Sequence, residues 1–511
     1  MLTFTIKKSE IINDIFLPKY YDPDLQSDIA SLQSSHELFT IKDLIDNNIL
    51  EITSGNEIGA ISYGTGDIPF VRTSDISNWE IKAIPKQGVS EEIYHKYSDK
   101  QDLQPEDILI VKDGSYLIGS NCMIFESDLP FLYQSHIIKI RIVNKQKINP
   151  YLLFVLLNSS IVQRQIRRVQ FTADIIDTIG SRYIELILPV PKNKKFCDWL
   201  SHTAANVLRS REFNKMTIKQ FPLLVEDSLL SNSFDPFINY KSLNYESRLS
   251  QLIQNTTTQE LGKMCHFTIK HSEIINDIFL PKYYNNDVLK ILEKLEKSCN
   301  VVSIGDLVRE KKLELKTGDE IGKMAYGTGE IPFIRTSDFT NWELKADPKQ
   351  SVSQEIFEEY CVKEDTRGGD ILLVRDGSYL IGTTCLITTV DEKMLFCGGI
   401  YKIRSLDSSL SPYLLLALLN SYIVKQQIRR KQFTRDVIDT LGRRLEEVLL
   451  PIPKDDSLKN AISMFVQEII SSRITDRDVI NNLSEIVLLT SEKEQNKIMS
   501  NFNYNNAQDI I

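Results

Sequence analysis

Two stretches of the chain are nearly the same. Phe4–Tyr21 reads FTIKKSEIINDIFLPKYY and Phe267–Tyr284 reads FTIKHSEIINDIFLPKYY, with Lys8 exchanged for His271. Tyr63–Gln87 matches Tyr326–Gln350 at 19 of 25 positions. DILIVKDGSYLIG at Asp107–Gly119 answers DILLVRDGSYLIG at Asp370–Gly382, and the long block from Asn149 to Gly180 answers Ser411 to Gly442. The offset is 263 residues through the first three blocks and 262 in the last. A near-constant offset held over ~190 residues means a duplicated domain, because solenoid repeats run at periods of tens of residues. Between the matched blocks the copies diverge, at Asp22–Gly55 against Asn285–Gly318 and at Glu126–Asn149 against Val390–Ser411.

Composition narrows the class. The 511 residues are 42% hydrophobic and 25% charged, ordinary for a globular protein, and at ~150 residues per domain they allow three or four domains. The longest apolar run, Leu152–Leu157, is far short of the ~20 residues that cross a bilayer. Lys7, Lys8 and Glu10 interrupt the start of the chain where a signal peptide is apolar. Seven cysteines (122, 197, 265, 299, 361, 385 and 397) form no CxxC pair and leave one over, which suits a reducing cytoplasm. A net charge of −9 argues against a protein that coats nucleic acid by bulk attraction but permits a local basic groove.

Period and punctuation give the elements. Ile68–Arg72, Ile108–Val111 and Ile137–Ile142 read as strands between Gly, Asn and Asp turns, and Asp113-Gly114 and Asp376-Gly377 as hairpin turns. From Pro150 the pattern becomes helical, with Leu152, Val155, Leu156 and Ile161 on one stripe. A long amphipathic helix follows each copy: Phe196, Trp199, Leu200, Ala204, Val207 and Leu208 in the first, with Pro222 as its stop, and Leu458, Ile462, Phe465, Ile469 and Ile470 in the second. Thr475–Asp478 offers a fresh helix cap before Val479–Leu489. The expected organisation is α/β (α+β): modules at 1–192 and 267–454, helices at 193–221 and 455–496 that pair antiparallel, a polar connector at 222–266 and a frayed tail at 497–511.

This arrangement resembles the specificity (S) subunit of type I restriction–modification systems, in which two target-recognition domains alternate with two spacer helices forming an antiparallel coiled coil. Gly66-Asp-Ile-Pro-Phe-Val-Arg-Thr-Ser-Asp75 is similar to the family's G-x-I-P-F-I-[RK]-x-x-D, and Asp107-Ile-Leu…Asp113-Gly…Ile118-Gly119 to its D-I-L…x-G…I-G. Pro150-Tyr-Leu-Leu…Leu157-Asn158-Ser159 resembles P-x-[YF]-L…L-N-S, Leu188-Pro-Val-Pro191 resembles I-P-[LV]-P, and Leu17-Pro-Lys-Tyr-Tyr21 resembles the family's lead-in. The second copy repeats these at Gly329–Asp338, Asp370–Gly382, Pro412–Ser421 and Leu450–Pro453. The chain departs from the family at Lys192-Asn193-Lys194 and Lys454-Asp455-Asp456, where P-L-x-E-Q usually follows, and its copies are more alike than is usual there. The resemblance implies a non-catalytic, cofactor-free subunit that reads a bipartite site in double-stranded DNA, and the two alike modules related by an antiparallel helix pair make that site a partly inverted repeat. Its implied partners are two methyltransferase subunits and restriction or translocase subunits; another phage-defence complex, with this chain as a DNA-sensing scaffold, is the alternative.

Reading DNA needs phosphate contacts for register and base-edge contacts for sequence. Ile148–Lys192 carries five basic against three acidic residues, and Leu410–Lys454 eight against four, in a chain that is acidic overall. Arg164, Arg167 and Arg168, and Lys425, Arg429, Arg430 and Lys431, fall on neighbouring helical positions and are the phosphate candidates; a solvated helix face is the plain alternative. The base-reading candidates are Arg72, Thr73, Ser74, Lys82, Lys86, Gln87, Lys112 and Tyr116, answered by Arg335, Thr336, Ser337, Lys345, Lys349, Gln350, Arg375 and Tyr379. The competing explanation is that shared residues are scaffold and the divergent segments read.

The enzymatic alternative is a Mg²⁺-dependent nuclease. Asp67 with Glu80-Ile-Lys82, and Glu330 with Glu343-Leu-Lys345, have the residue types of a PD-(D/E)xK site, although Asp67 and Glu330 sit beside turn glycines and ExK is common in amphipathic strands. Asn149-Pro-Tyr-Leu lacks a proline of the adenine-methylase loop, and Ser411 replaces Asn149 in the second copy. The Tyr-Gly-Thr-Gly blocks have no following Gly-Lys-Ser/Thr and are no phosphate cradle. Cys265, His266 and His271 cluster, but Thr3 and Lys8 hold the histidines' places in copy one, so no metal site is expected.

Overall fold

The computed structural model describes residues 5, 7, 11, 15–114, 116–173, 176–236, 268–274, 278–284, 287–377, 379–435 and 438–502. Cys265, His266, Lys8, most of the expected connector and residues 503–511 lie outside them. The chain divides into two units: Met1–Lys215 with Ser471–Ile511, and Met216–Ile470.

In the first unit a four-stranded antiparallel sheet runs β2(Leu50–Ser54)–β10(Ile137–Ile142)–β7(Ile108–Val111)–β8(Asn121–Met123). Alternation along its strands splits the core in two. Ile108, Ile110, Ile138, Ile140 and Ile142 face the larger apolar cluster, and Leu109, Val111 and Ile137 face a second one with Ile76, Ile124 and Tyr133. A second sheet orders β6(Gln87–Val89)–β3(Ile68–Val71)–β9(Leu132–Tyr133), with β9 parallel to β3. Short pairs complete it: β1(His36–Thr40) with β13(Ile187–Pro191), β4(Ile76–Ser77) with β5(Glu80–Ile81), and β11(Phe171–Ala173) with β12(Ile176–Thr178). The Asp-Gly turns are not the tips of tight hairpins. β7 and β8 do pair, but across residues 112–120, and Asp113 bridges to Thr178 instead.

The helices are α1(Pro23–Leu32), α2(Ile41–Asp46), α3(Glu91–Gln101), α4(Pro150–Asn158), α5(Ser160–Val169) and α6(Lys194–Ser231). Asn149 caps α4 by accepting from the Tyr151 N–H at 2.9 Å, and Pro150 occupies the first position, where no N–H is missed. Pro150–Leu157 is buried on every side, which makes α4 the core helix of the unit. In α3 the last carbonyls meet a buried cation: Lys139 Nζ donates to Gln101 O at 2.6 Å and Asp102 O at 2.8 Å.

The second unit repeats this design. Its four-stranded sheet orders β15(Leu313–Thr317)–β24(Ile400–Ser405)–β20(Ile371–Val374)–β22(Thr384–Leu386), and its three-stranded sheet orders β19(Gln350–Val352)–β16(Ile331–Ile334)–β23(Leu395–Phe396). β14(Cys299–Ser303) pairs with β27(Leu449–Pro453), β17(Phe339–Thr340) with β18(Glu343–Leu344), and β21(Asp376–Gly377) joins β26(Ile438–Thr440) and β25(Phe433–Arg435). The helices α7(Asp287–Leu295), α8(Ile304–Arg309), α9(Gln354–Glu364), α10(Pro412–Leu419) and α11(Tyr422–Lys431) precede α12(Asp456–Ile486) and α13(Glu492–Asn501). Lys402 Nζ repeats the buried-cation device on Glu364 O and Asp365 O at 2.6 and 2.8 Å.

Within the first unit the start of α6 and the end of α12 pair antiparallel. Ser210 meets Asp476 at 2.8 Å and Asn214 meets Ser472 at 2.9 Å, so one numbering rises as the other falls, and Asn193, just before α6, meets Gln495 of α13 at 3.0 Å. Phe196, Leu200, Ala204, Val207 and Leu208 share a cluster with Val479, Ile480, Leu483 and Val487. In the second unit the end of α6 buries Phe221, Leu223, Leu224, Val225 and Leu229, and the start of α12 buries Leu458, Ile462, Val466 and Ile469.

Three further sequence expectations need correction. α6 runs through Pro222 to Ser231. The interior proline costs about 3 kcal/mol, which the burial of several large apolar side chains at ~1.5–3 kcal/mol each outweighs. α12 is unbroken at Thr475, because Thr475 and Asp476 are buried in the helix pair and Asp476 is engaged by Ser210. The expected tail begins in helix: α13 reaches Asn501, and Phe502 stacks edge-on against Trp199 at 5.3 Å.

Candidate nucleic-acid interface

The candidate residues of the first unit are tied together by backbone bonds. β3 ends at Val71, and the chain turns through Arg72–Asp75, where the buried Asp75 carboxylate accepts from the Arg72 N–H at 3.0 Å. Burial pushes the Asp75 carboxyl up, while the Arg72 N–H and the Lys82 ammonium pull it down. Beside this turn, Gln134 N–H donates to Val71 O at 3.0 Å and Lys112 N–H to His136 O at 3.0 Å. Ile179 N–H donates to Lys112 O at 3.0 Å and Gly114 N–H to Asp177 O at 2.9 Å, and Arg167 on α5 donates to Tyr116 O at 3.3 Å. The chain of bonds makes one rim that carries Arg72, Thr73, Ser74, Lys112, Tyr116 and Arg167. Gln87 lies across from Phe70 on the other side of β3, next to the exposed Lys86.

The second unit builds the same rim. Asp338 accepts from the Arg335 N–H at 2.9 Å, Cys397 N–H donates to Ile334 O at 3.0 Å, Arg375 N–H to Gly399 O at 2.9 Å and Leu441 N–H to Arg375 O at 3.0 Å. Arg335, Ser337, Lys349, Tyr379 and Arg429 are exposed, Thr336 sits beside Gly399, and Gln350 pairs with Phe333.

Not every candidate belongs to it. Lys82 and Lys345 are buried behind the turns, next to Asp75 and Asp338, where no base edge reaches them. Arg164 is exposed on α5 but is neutralised by Asp28 of α1 at 2.5 Å and by Asp22 at 3.6 Å. Arg168 lies over the Tyr20 ring at 5.2 Å. Lys431 pairs with Glu447 at 2.7 Å over the Tyr283 ring, and Arg430 is half-buried. Burial pushes the Lys425 ammonium down to about 8, with Arg429 adding to the effect.

One rim residue escaped the sequence reading. His136 Nδ1 lies 3.0 Å from the Asp113 carboxylate, which also takes the Thr178 hydroxyl, and His136 Nε2 lies 3.7 Å from Glu57. In the second unit Gly399 stands there, and Asp376 is held by Arg375 through Nε at 2.9 Å and Nη2 at 2.6 Å. The signal in the sequence is a Ser-His against a Gly-Gly within a segment where the two copies diverge.

The nuclease reading loses its residues to packing. Glu80 is 5% exposed and its Oε1 is gripped by Arg473 and, at 3.4 Å, by Arg211. These two arginines occupy equivalent places in the repeat, 262 residues apart, on α6 and α12. Asp67 and Glu330 are at the surface, and Glu343 is buried. Among the described residues no group of three His, Cys, Asp or Glu side chains is placed to hold a metal ion. No described helix is long and apolar enough to cross a membrane.

No protein-family profile and no curated protein matches the chain. Among solved structures it is similar to the S subunit of a type I restriction–modification system from M. genitalium, at 12% identity over 91% of this chain and 94% of that one, with a TM-score of 0.32. It is also similar to the HsdS subunit from Thermoanaerobacter tengcongensis, at 13% identity over 89% and 95% with a TM-score of 0.26. A third similar chain comes from a structure concerned with complex assembly and conformational transition of the type I R-M system, at 13% identity over 93% and 97% with a TM-score of 0.25.

Proposed function

We propose that this protein is a DNA sequence-specificity subunit. Each unit applies its rim to one half of a bipartite, partly inverted-repeat site, and the chain holds methyltransferase and restriction subunits on that DNA. The observation that carries the reading is the repeated rim: Arg72 and Arg335 on a carboxylate-locked turn, Lys112 and Arg375 on the adjoining loop, and Arg167 and Arg429 on the flanking helix. Turns set by buried hydrogen bonds hold long cationic side chains at fixed spacing, which phosphate register requires. The acid that would be needed for cleavage, Glu80, is committed to two arginines.

The test is binding of the full chain to a random duplex pool across a salt series. A sequence preference should emerge, and affinity should fall steeply with salt. Replacing Arg167 and Arg429 by alanine should weaken binding to all sequences about equally and flatten the log–log salt slope by roughly two, about 0.9 per lost phosphate contact. Salt-independent binding, or no selected motif, would overturn the proposal.

A further inference from the structure

Each unit displays one large apolar side chain almost wholly to solvent at the same place. Ile61 and Met324 are both 92% exposed and stand 263 residues apart, as the repeat dictates. Each is the middle residue of a three-residue 3-10 turn, Ala60–Ser62 and Lys323–Ala325. All three turn residues differ between the copies, and only the middle one stays large and apolar.

The turn is a rigid mount. Gly59 and Gly64 flank it at φ +72° and +71°, and Gly322 and Gly327 at +77° and +73°; a Cβ at any of them would meet nothing, so glycine is there for the backbone angle. Gly64 N–H donates to Gly88 O at 2.8 Å, Ser62 Oγ to Ile58 O at 2.8 Å and Thr65 Oγ1 to Ser62 O at 2.9 Å. In the second unit Gly327 N–H donates to Ser351 O at 2.8 Å and Thr328 Oγ1 to Ala325 O at 2.7 Å. The next residue, Tyr63, packs on Phe70 and lies under the Arg72 guanidinium at 5.8 Å, which joins the turn to the cationic rim. The strand bonded through Gly88 brings the exposed Lys86 near. A single apolar tip on a turn joined to Arg72 is too small for a protein interface but has the form of a side chain driven into a base stack.

We infer that Ile61 and Met324 are wedges that enter double-stranded DNA between adjacent base pairs, one in each half-site. The inference rests on the DNA-reading proposal. Unstacking one step lets the duplex bend and meet more of the rim.

The experiment uses the full chain with the duplex selected above, carrying 2-aminopurine in turn at each position. Wild type should brighten the probe at one step in each half. Ile61→Ser with Met324→Ser should abolish that signal and weaken specific binding about tenfold. Ile61→Met, the second unit's own residue, should keep both, and the thermal unfolding midpoint should not move because the side chains pack on nothing. A wild type that binds the duplex with no bright step sinks the wedge alone, whereas one that binds no DNA sinks the underlying proposal with it. Unchanged DNA affinity in the serine variant with loss of a bound methyltransferase subunit would make the tips protein contacts and also overturn the inference.

Discussion

At position 364 the two copies perform a natural substitution. Gln101 in the first unit accepts from the Tyr133 N–H at 2.9 Å and donates to Tyr133 O at 2.9 Å, deep under the β9 strand. Its counterpart Glu364 accepts from the Phe396 N–H at 3.0 Å and the Asp319 N–H at 3.3 Å, and burial pushes its carboxyl up to about 8, against an ordinary carboxylate near ~4.3. A carboxyl whose folded pKa is raised binds its proton more tightly folded than unfolded, so folding loses stability as pH climbs through that interval. The loss is complete above pH 8. Glu364→Gln should therefore stabilise the second unit by ~2–4 kcal/mol at pH 8.5, with the gain shrinking steadily toward pH 5. Urea unfolding at the two pH values checks this, and a gain independent of pH would mean that the amide's extra hydrogen bond, not ionisation, is responsible. Residue-level roles were only partly legible. Charge recurring in both copies singles out Arg72, Lys112 and Arg167 as candidates, but nothing in the sequence distinguishes the surface Lys86 from the buried Lys82. Burial of a lysine depends on a tertiary partner, here Asp75, seven residues earlier.

Elements were more legible than their ends. The strands at 108–111 and 137–142 and the helix opening at Pro150 follow from period and from capping, which are local. Pro222 misled because the competing force is not local. A helix breaker is overruled when Phe221 meets Trp342 edge-on at 4.6 Å and four further apolar residues after it are buried. Pro222→Ala restores an N–H to the helix and removes a clash, while giving back ~0.4–1 kcal/mol of unfolded-chain entropy. The variant should be more stable by ~1–2 kcal/mol, seen as a higher denaturant midpoint at unchanged slope. A lower midpoint would show that a bend at Pro222 is needed for the packing around Trp342. The same logic explains the missed continuity of α12: Thr475 and Asp476 look like a helix cap in sequence, but inside the first unit Asp476 has Ser210 as its partner.

At the scale of the whole molecule, the proposed DNA reading would make the duplication constrain the target. Arg72, Thr73, Ser74, Lys86 and Gln87 are identical to Arg335, Thr336, Ser337, Lys349 and Gln350, and each set hangs on the same carboxylate-locked turn and the same β pairing. Equal side chains on equal backbones prefer equal bases, so the two half-sites should share bases where these residues reach. Among the candidate side chains of the rims, the charged difference falls at one connected place: Lys112 with His136 in the first unit, Arg375 with Gly399 in the second. An imidazole beside Asp113 and a guanidinium folded on Asp376 offer different donors, and an arginine released from its aspartate can fork onto guanine where a lysine cannot. The half-sites should therefore diverge at the base pairs facing that place and agree elsewhere. Each mismatch at a shared position should cost ~1–3 kcal/mol, alike in either half. Carrying Lys112→Arg with His136→Gly into the first unit should move its half-site toward the second, read by sequencing the duplexes that each protein selects. Two half-sites with no base in common, or a double variant whose motif does not shift, would separate sequence reading from the shared rim and assign it to the divergent loops.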